Sequence, residues 1–304
     1  MARTTLNTLL TAQSASARTP YLHMIFTSYD EGTTVDLSSD SATYGDRIVL
    51  IDHAEESYND YSVIILSNYD LSIPDLMGYY VDIGFGDVTG TGNEYCGDGT
   101  NGGDNGMSRL WVKHQQFVSI AGKLLCILEL EGKWAKLRET LLRMGSAPFY
   151  TAKTADDDFG SAKTPYDILK YLLTNEVDPA MTLAALSEDD GIMDTYEPNF
   201  EVNYSQNFEY FAEIAYMLVK MTNSFLKPMG GLNWEIKYPQ SSDSIDLTYT
   251  TSQFYEHTER KNLVIPNRIY LFANAGADLL WAGMITAQDD NEASQASYGI
   301  VSDV

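Results

Sequence analysis

Basic residues are scarce in this chain. Nineteen Lys and Arg face 43 Asp and Glu over 304 residues, a formal net charge of -24. Such a surface repels nucleic acid and anionic lipid, and no basic patch reverses the sign. A halophilic source, high solubility or cation-rich surroundings each account for the excess acid. Cysteine is scarcer still: Cys96 and Cys126 are the two present. A disulfide between them has no supporting pattern, and two isolated thiols suit a reducing compartment of assembly better than a disulfide scaffold. Long apolar runs are missing as well. No stretch approaches the ~18 apolar residues of a membrane span. Residues 1–20 are rich in Thr, Ser and Ala, with Leu6, Leu9 and Leu10 as apolar anchors. They lack the apolar centre of a secretory signal and read as a short helix or docking arm over 1–19.

The usual carriers of chemistry are also missing or broken. Gly84-Phe85-Gly86 opens like a dinucleotide fingerprint, but Thr89 stands where the third glycine belongs. Gly122-Lys123 ends like a phosphate-binding loop, but Phe117 replaces its first glycine and Leu124 its hydroxyl residue. His23, His53, His114 and His257 are dispersed, with no zinc-ligand spacing. No Gly-x-Ser-x-Gly elbow exists to begin a hydrolase triad. The expectation is a protein without catalytic residues and without a cofactor. The candidate metal ligands are Asp98, Asn101 and Asp104, with Asn105 beside them, in the glycine-rich stretch 84–106. Calcium accepts oxygens on such a flexible backbone, but EF-hand spacing and a closing Glu are lacking, so a plain loop is the preferred reading. The acidic runs at 156–158 and 188–190 read as solvated turns.

What the chain has is tyrosine, 21 residues of it, and an order of elements. Tyr joins a large apolar ring to a polar tip and suits half-buried strands and interfaces. Residues 20–135 read as β: 21–28, 47–52, 61–67, 79–85, 109–118 and 123–130 are the strands. In the fourth of these, Tyr79, Val81, Ile83 and Phe85 share one face. Residues 84–106 carry nine glycines and read as loop, a long hairpin tip or an insertion. Residues 136–228 read mainly as helix. Residues 134–144 form one helix. Thr164-Pro165 starts a second, with Ile168, Leu169, Leu172 and Leu173 on one face. Residues 203–224 form the longest, buried through Phe208, Phe211, Ala215, Leu218 and Thr222, with Asn203 and Gln206 as a capping box. Residues 229–304 return to β, with strands at 232–238, 245–251, 263–273 and 279–286. Blocks of β, α and β point to α+β: two β-barrel-like domains flanking a mainly helical middle region.

Three stretches resemble the hub family of phage baseplates, which includes tail-associated proteins of long non-contractile tails and late-control proteins of contractile ones. The first joins residues 47–50 (RIVL), 64–68 (IILSN) and 76–84 (LMGYYVDIG), and is similar to the opening barrel of such hubs. The second, residues 163–173 (KTPYDILKYLL), is similar to the helix that opens the middle region. The third runs from 208–225 through 232–236 (LNWEI) to 261–267 (KNLVIPN), and residues 297–299 (SYG) resemble a tripeptide near the family's end. The resemblance implies a structural virion protein in the tail. It implies a homo-oligomer, either a trimer whose paired barrels give a pseudo-sixfold ring or a hexamer. Its partners would be other tail tube and baseplate proteins, and DNA would pass through without specific binding. The chain departs from the pattern in ending soon after Gly299 and in its long glycine-rich stretch. Two other classes stay open. The tyrosines, tryptophans and paired acids also suit a secreted β-rich glycan-binding module or glycosidase, and a capsid or other virion shell protein is the third reading.

Overall fold

The computed structural model describes residues 7–15, 17–56, 58–96, 106–141, 149–151, 164–186, 192–196, 201–203, 210–220, 224–240, 268–273, 285–290, 292 and 302–303. Its contacts divide the chain into two compact units, residues 1–246 and residues 247–304. The class is α+β: the described residues form four helices and eighteen strands in several sheets, none of which closes into a barrel among them.

The first unit opens with helix α1 (Asn7–Ser14), whose Leu9 is buried within the chain. Strands β1 (Pro20–His23) and β2 (Ile25–Thr27) follow. They were expected as one strand. Fully buried Met24 lies between them, and the chain there leaves one sheet for another. β3 (Thr34–Asp36), β4 (Ile48–Glu56), β5 (Asn59–Ser67) and β6 (Tyr80–Val81) come next.

Glycines reshape the next stretch. Where a loop was expected, β7 (Gly84–Thr89) and β8 (Gly92–Tyr95) form a hairpin, and β1 pairs on β7. A Cβ on Gly86 would lie 1.9 Å from the Glu94 carbonyl oxygen, so the close approach of the two strands requires glycine there. The glycines counted as loop formers are partly strand residues.

β9 (Leu110–Ile120) and β10 (Lys123–Glu131) are joined by Ala121 and Gly122, both at positive φ (51° and 77°), the backbone of a two-residue hairpin turn. A seven-stranded antiparallel sheet results, in the order β3-β2-β6-β9-β10-β5-β4. One face carries a core of Met24, Phe26, Ile64, Leu66, Val81, Ile83, Val112, Cys126 and Leu128 among others. Tyr79 and Phe85 pack against it beside Val81 and Ile83, but the strand expected over 79–85 is broken: β6 ends at Val81 and β7 opens at Gly84 in another sheet.

A second core lies beyond β10. It is built on α2 (Lys133–Glu139), α3 (Pro165–Asn175), α4 (Phe211–Lys220) and a small sheet of β12 (Thr182–Leu183), β15 (Asn233–Lys237) and β14 (Phe225–Pro228). Ile168, Leu169, Leu172 and Leu173 are fully buried in it, and Thr164 caps α3 by accepting from the Asp167 N–H, as the sequence indicated. Trp111, Trp134 and Trp234 are buried there too.

The middle region holds more strand than its composition suggested. β11 (Phe149–Thr151) pairs with β13 (Glu201–Asn203), so Asn203 ends a strand and does not cap a helix. α4 is shorter than the expected 203–224, and Phe208, Gln206 and Thr222 lie outside the described residues. In the second unit β16 (Arg268–Ala273) pairs antiparallel with β17 (Ile285–Asp290) and parallel with β18 (Ser302–Asp303). The strand expected at 245–251 falls outside the described residues.

Candidate functional site: a buried polar joint and the open faces around it

Between the two cores of the first unit lies a group of buried charges. β10 runs through Gly132 directly into α2, so the start of this helix is held at the end of the sheet. Asp60 of β5 reaches it from the neighbouring strand. Its main-chain oxygen accepts from the Gly132 N–H at 2.8 Å, and its carboxylate from the Lys133 and Trp134 N–H groups at 2.9 and 3.2 Å. The Ser108 hydroxyl donates to the same carboxylate at 2.8 Å. A helix start leaves its first N–H groups without helical partners, and a strand residue meets two of them here. A Cβ at Gly132 would fall 1.9 Å from Asp60 Oδ2, so glycine admits the carboxylate. Burial pushes the Asp60 carboxyl above its usual range, against the pull of Ser108, Trp134 and Lys133.

Lys133 leaves the same point in the other direction. Its Nζ donates to the carbonyl of Met229 at 2.7 Å and to that of Asn233, and lies 4.8 Å from the centre of the Trp234 ring. The residue is fully buried. Burial pushes its ammonium down to about 7, against the fields of Asp60, Glu55 and Asp82. Around it, Glu55 accepts from the Ser108 N–H at 3.0 Å, and Arg109 grips Asp82 through two bonds of 3.0 Å while lying 4.0 Å over the Tyr80 ring. His53 Nε2 stands 3.4 Å from Glu55 Oε1. The Arg109 N–H to Gly231 and the Gly231 N–H to Met107 complete the tie between the sheet and the β14–β15 turn.

Open apolar faces flank this joint. β5 and β10 read as near-continuous apolar runs because they carry aliphatic residues on both faces. Ile64, Leu66, Cys126 and Leu128 are buried, whereas Val63, Ile65, Leu125 and Ile127 are half-buried on the opposite face, beside exposed Leu50 on edge strand β4. A groove of about 610 Å³ runs between α2 and α4, lined by Tyr58, Trp134, Tyr210, Tyr216 and Met217 with Arg138 at its side.

Asp98, Asn101, Asp104 and Asn105 lie outside the described residues, as does His257. His23 stacks on Tyr95 at 4.2 Å, and His114 is exposed opposite Glu129. Cys96 and Cys126 are both buried and free. Among the described residues no group of three or more His, Cys, Asp and Glu is placed to hold a metal ion, and no helix is long and apolar enough to cross a membrane. Asp60 and Lys133 were not foreseen. The available signals were an acid inside the apolar β5 segment and a Gly-Lys-Trp step at the end of β10.

The fold has solved counterparts. A tail protein from Neisseria meningitidis MC58 is similar to 90% of this chain, over 68% of its own length, with a TM-score of 0.52 and 8% identity. The 43 kDa tail protein of prophage MuSo2 from Shewanella oneidensis is similar to 94% of the chain, over 73% of its own length, with a TM-score of 0.50 and 11% identity. The chain has the fold of these tail proteins. No family model and no curated protein matches the sequence.

Proposed function

We propose that this chain is a structural, non-enzymatic subunit of a phage tail, located in the virion as a hub or adaptor ring at the distal end of the tail tube. One observation carries the reading: similarity of fold over nine-tenths of the chain to two tail proteins. The sequence resemblance to baseplate hubs supports it independently. In this reading residues 20–135 are a barrel-like domain and 136–228 a middle region, with 1–19 as a docking arm; the block 229–304 is divided, since β15 joins the helical core of the first unit and the second unit begins at residue 247. Copies associate as trimers with pseudo-sixfold symmetry, or as hexamers, and meet other tail tube and baseplate proteins.

The charge of -24 fits a conduit. DNA carries one negative charge per ~1.7 Å of helix axis, so a wall of like sign lets it pass without being held. Subunit contacts must then avoid unpaired carboxylates, and half-buried aliphatic and tyrosine surfaces of the kind described above have that character.

The test is the particle itself. Purified protein examined by light scattering and negative-stain microscopy is expected to give rings of three or six copies with an open lumen. A monomer at high concentration, or closed shells, removes the hub reading. Binding or cleavage of polysaccharide by a monomer would replace it with the glycan reading.

A further inference from the structure

Lys133 touches both sides of the joint with its donors. Its main-chain N–H is held by Asp60 of β5, and its Nζ by the Met229 and Asn233 carbonyls of the β14–β15 turn. The number of donors matters here. A protonated lysine has three N–H groups to place, and a neutral amine has two. Two carbonyls accept from Nζ among the described residues, which fills both N–H groups of a neutral amine, whereas the third N–H of an ammonium meets only the face of the Trp234 ring. The surroundings are dry: Lys133 is fully buried, and Trp234 covers the same nitrogen.

We infer that Lys133 is a proton-controlled bolt between the two cores of the first unit, tight when its amine is neutral and loosened when it is protonated. The inference holds whether or not the chain is a tail subunit. The groups that face the bolt are known from each side. Asp60, Glu55 and Asp82 favour the proton, Arg109 opposes it, and His53 stands behind Glu55. On β15, Glu235 and Lys237 are paired with each other at 3.0 Å. Burial is the largest influence and outweighs the three acids, bringing the ammonium from 10.5 to about 7.

The sign follows from where the proton sits. When the β14–β15 turn separates from the sheet, Lys133 meets water and regains its ordinary affinity near 10.5. Between about 7 and 10.5 the open form holds a proton that the closed form has released, so closure strengthens as pH rises. Below about 7 both forms are protonated and the balance is flat.

Hydrogen exchange of the full chain from pH 6 to pH 9, corrected for intrinsic rates, reads this directly. Protection of peptides over residues 229–237 is taken relative to those over 62–67. In the wild type the ratio should be flat below pH 7 and rise above it by up to about tenfold per pH unit. Lys133→Met should remove the rise, and Lys133→Arg, permanently charged, should stay at the low plateau at every pH. A flat wild-type ratio overturns the inference, and so does a rise that persists in Lys133→Met, which would assign the proton to another group. Should Lys133→Met fail to fold, the wild-type and Lys133→Arg profiles decide: parallel profiles overturn the inference, and profiles that diverge above pH 7 uphold it.

Discussion

Asp60 caps helix α2 from 74 residues before Trp134: its Oδ1 accepts from the Trp134 N–H at 3.2 Å while its Oδ2 accepts from Lys133. A side chain in a strand therefore ends one core and begins the next. Removing it strands two helix N–H groups and the Ser108 hydroxyl in a dry site. Asp60→Ala should destabilise the chain by about 3 kcal/mol in urea denaturation. Asp60→Asn, which keeps one acceptor, should cost less. Equal, small losses for both would mean that the contact contributes little.

A second carboxylate reports acid stability. Asp70 grips Arg47 through two bonds, 2.6 and 2.7 Å long, and Arg47 also lies over the Tyr69 ring. The Arg47 guanidinium, with Ser72, holds the Asp70 carboxyl well below the ordinary carboxylate range. A depressed native value means stability that is present above the unfolded value near 3.8 and lost as pH falls through the native one. The wild-type melting temperature should thus keep falling below pH 4, and Asp70→Asn should melt lower at neutral pH but with a flatter acid limb. Parallel acid limbs would show that Asp70 has no part in the loss.

Helix α3 offers a graded test. The Thr164 cap is half-buried and donates or accepts locally, so Thr164→Ala should cost about 1 kcal/mol. Leu172 is fully buried in the helical core, so Leu172→Ala should cost about 2–5 kcal/mol. Thermal melts that reverse this order would contradict the packing of α3.

These contrasts mark how far the sequence could be read. α3 was legible from Thr164-Pro165 and four leucine or isoleucine positions, because local capping and periodicity coincide there. β5, β9 and β10 were legible from their apolar and β-branched runs. The β7–β8 hairpin was missed because Gly84 and Gly86 signal loops when read locally, whereas their use here is close strand approach, which only the partner strand reveals. β14 was missed because residues 225–228 carry no alternation, and their strand state follows from pairing with β15. The polar joint was invisible for the same reason. Asp60 and Lys133 lie far apart in sequence, and no local pattern marks a carboxylate that will cap a distant helix.

The joint has a consequence for cooperativity. β9 serves both cores, since Trp111 is buried among the helices while its neighbour Val112 is buried under the sheet. Together with the Asp60 cap and the Lys133 bonds, this shared strand should make the two cores melt as one. Tryptophan allows the point to be checked. Of the four in the chain, Trp111, Trp134 and Trp234 all sit in the helical core, and none of these three is in the sheet core. Fluorescence therefore reports chiefly on the helical side, while far-ultraviolet circular dichroism weighs the strands as well. In the wild type the two denaturation curves of the first unit should coincide, as one cooperative transition requires. In Asp60→Ala the helical core loses its side-chain tie to β5, and the fluorescence midpoint should move to lower urea than the dichroism midpoint. Wild-type curves that already separate would mean that the shared strand does not couple the cores. Curves that stay superimposed in Asp60→Ala would mean that β9 alone suffices, and that the buried charges hold position without transmitting stability.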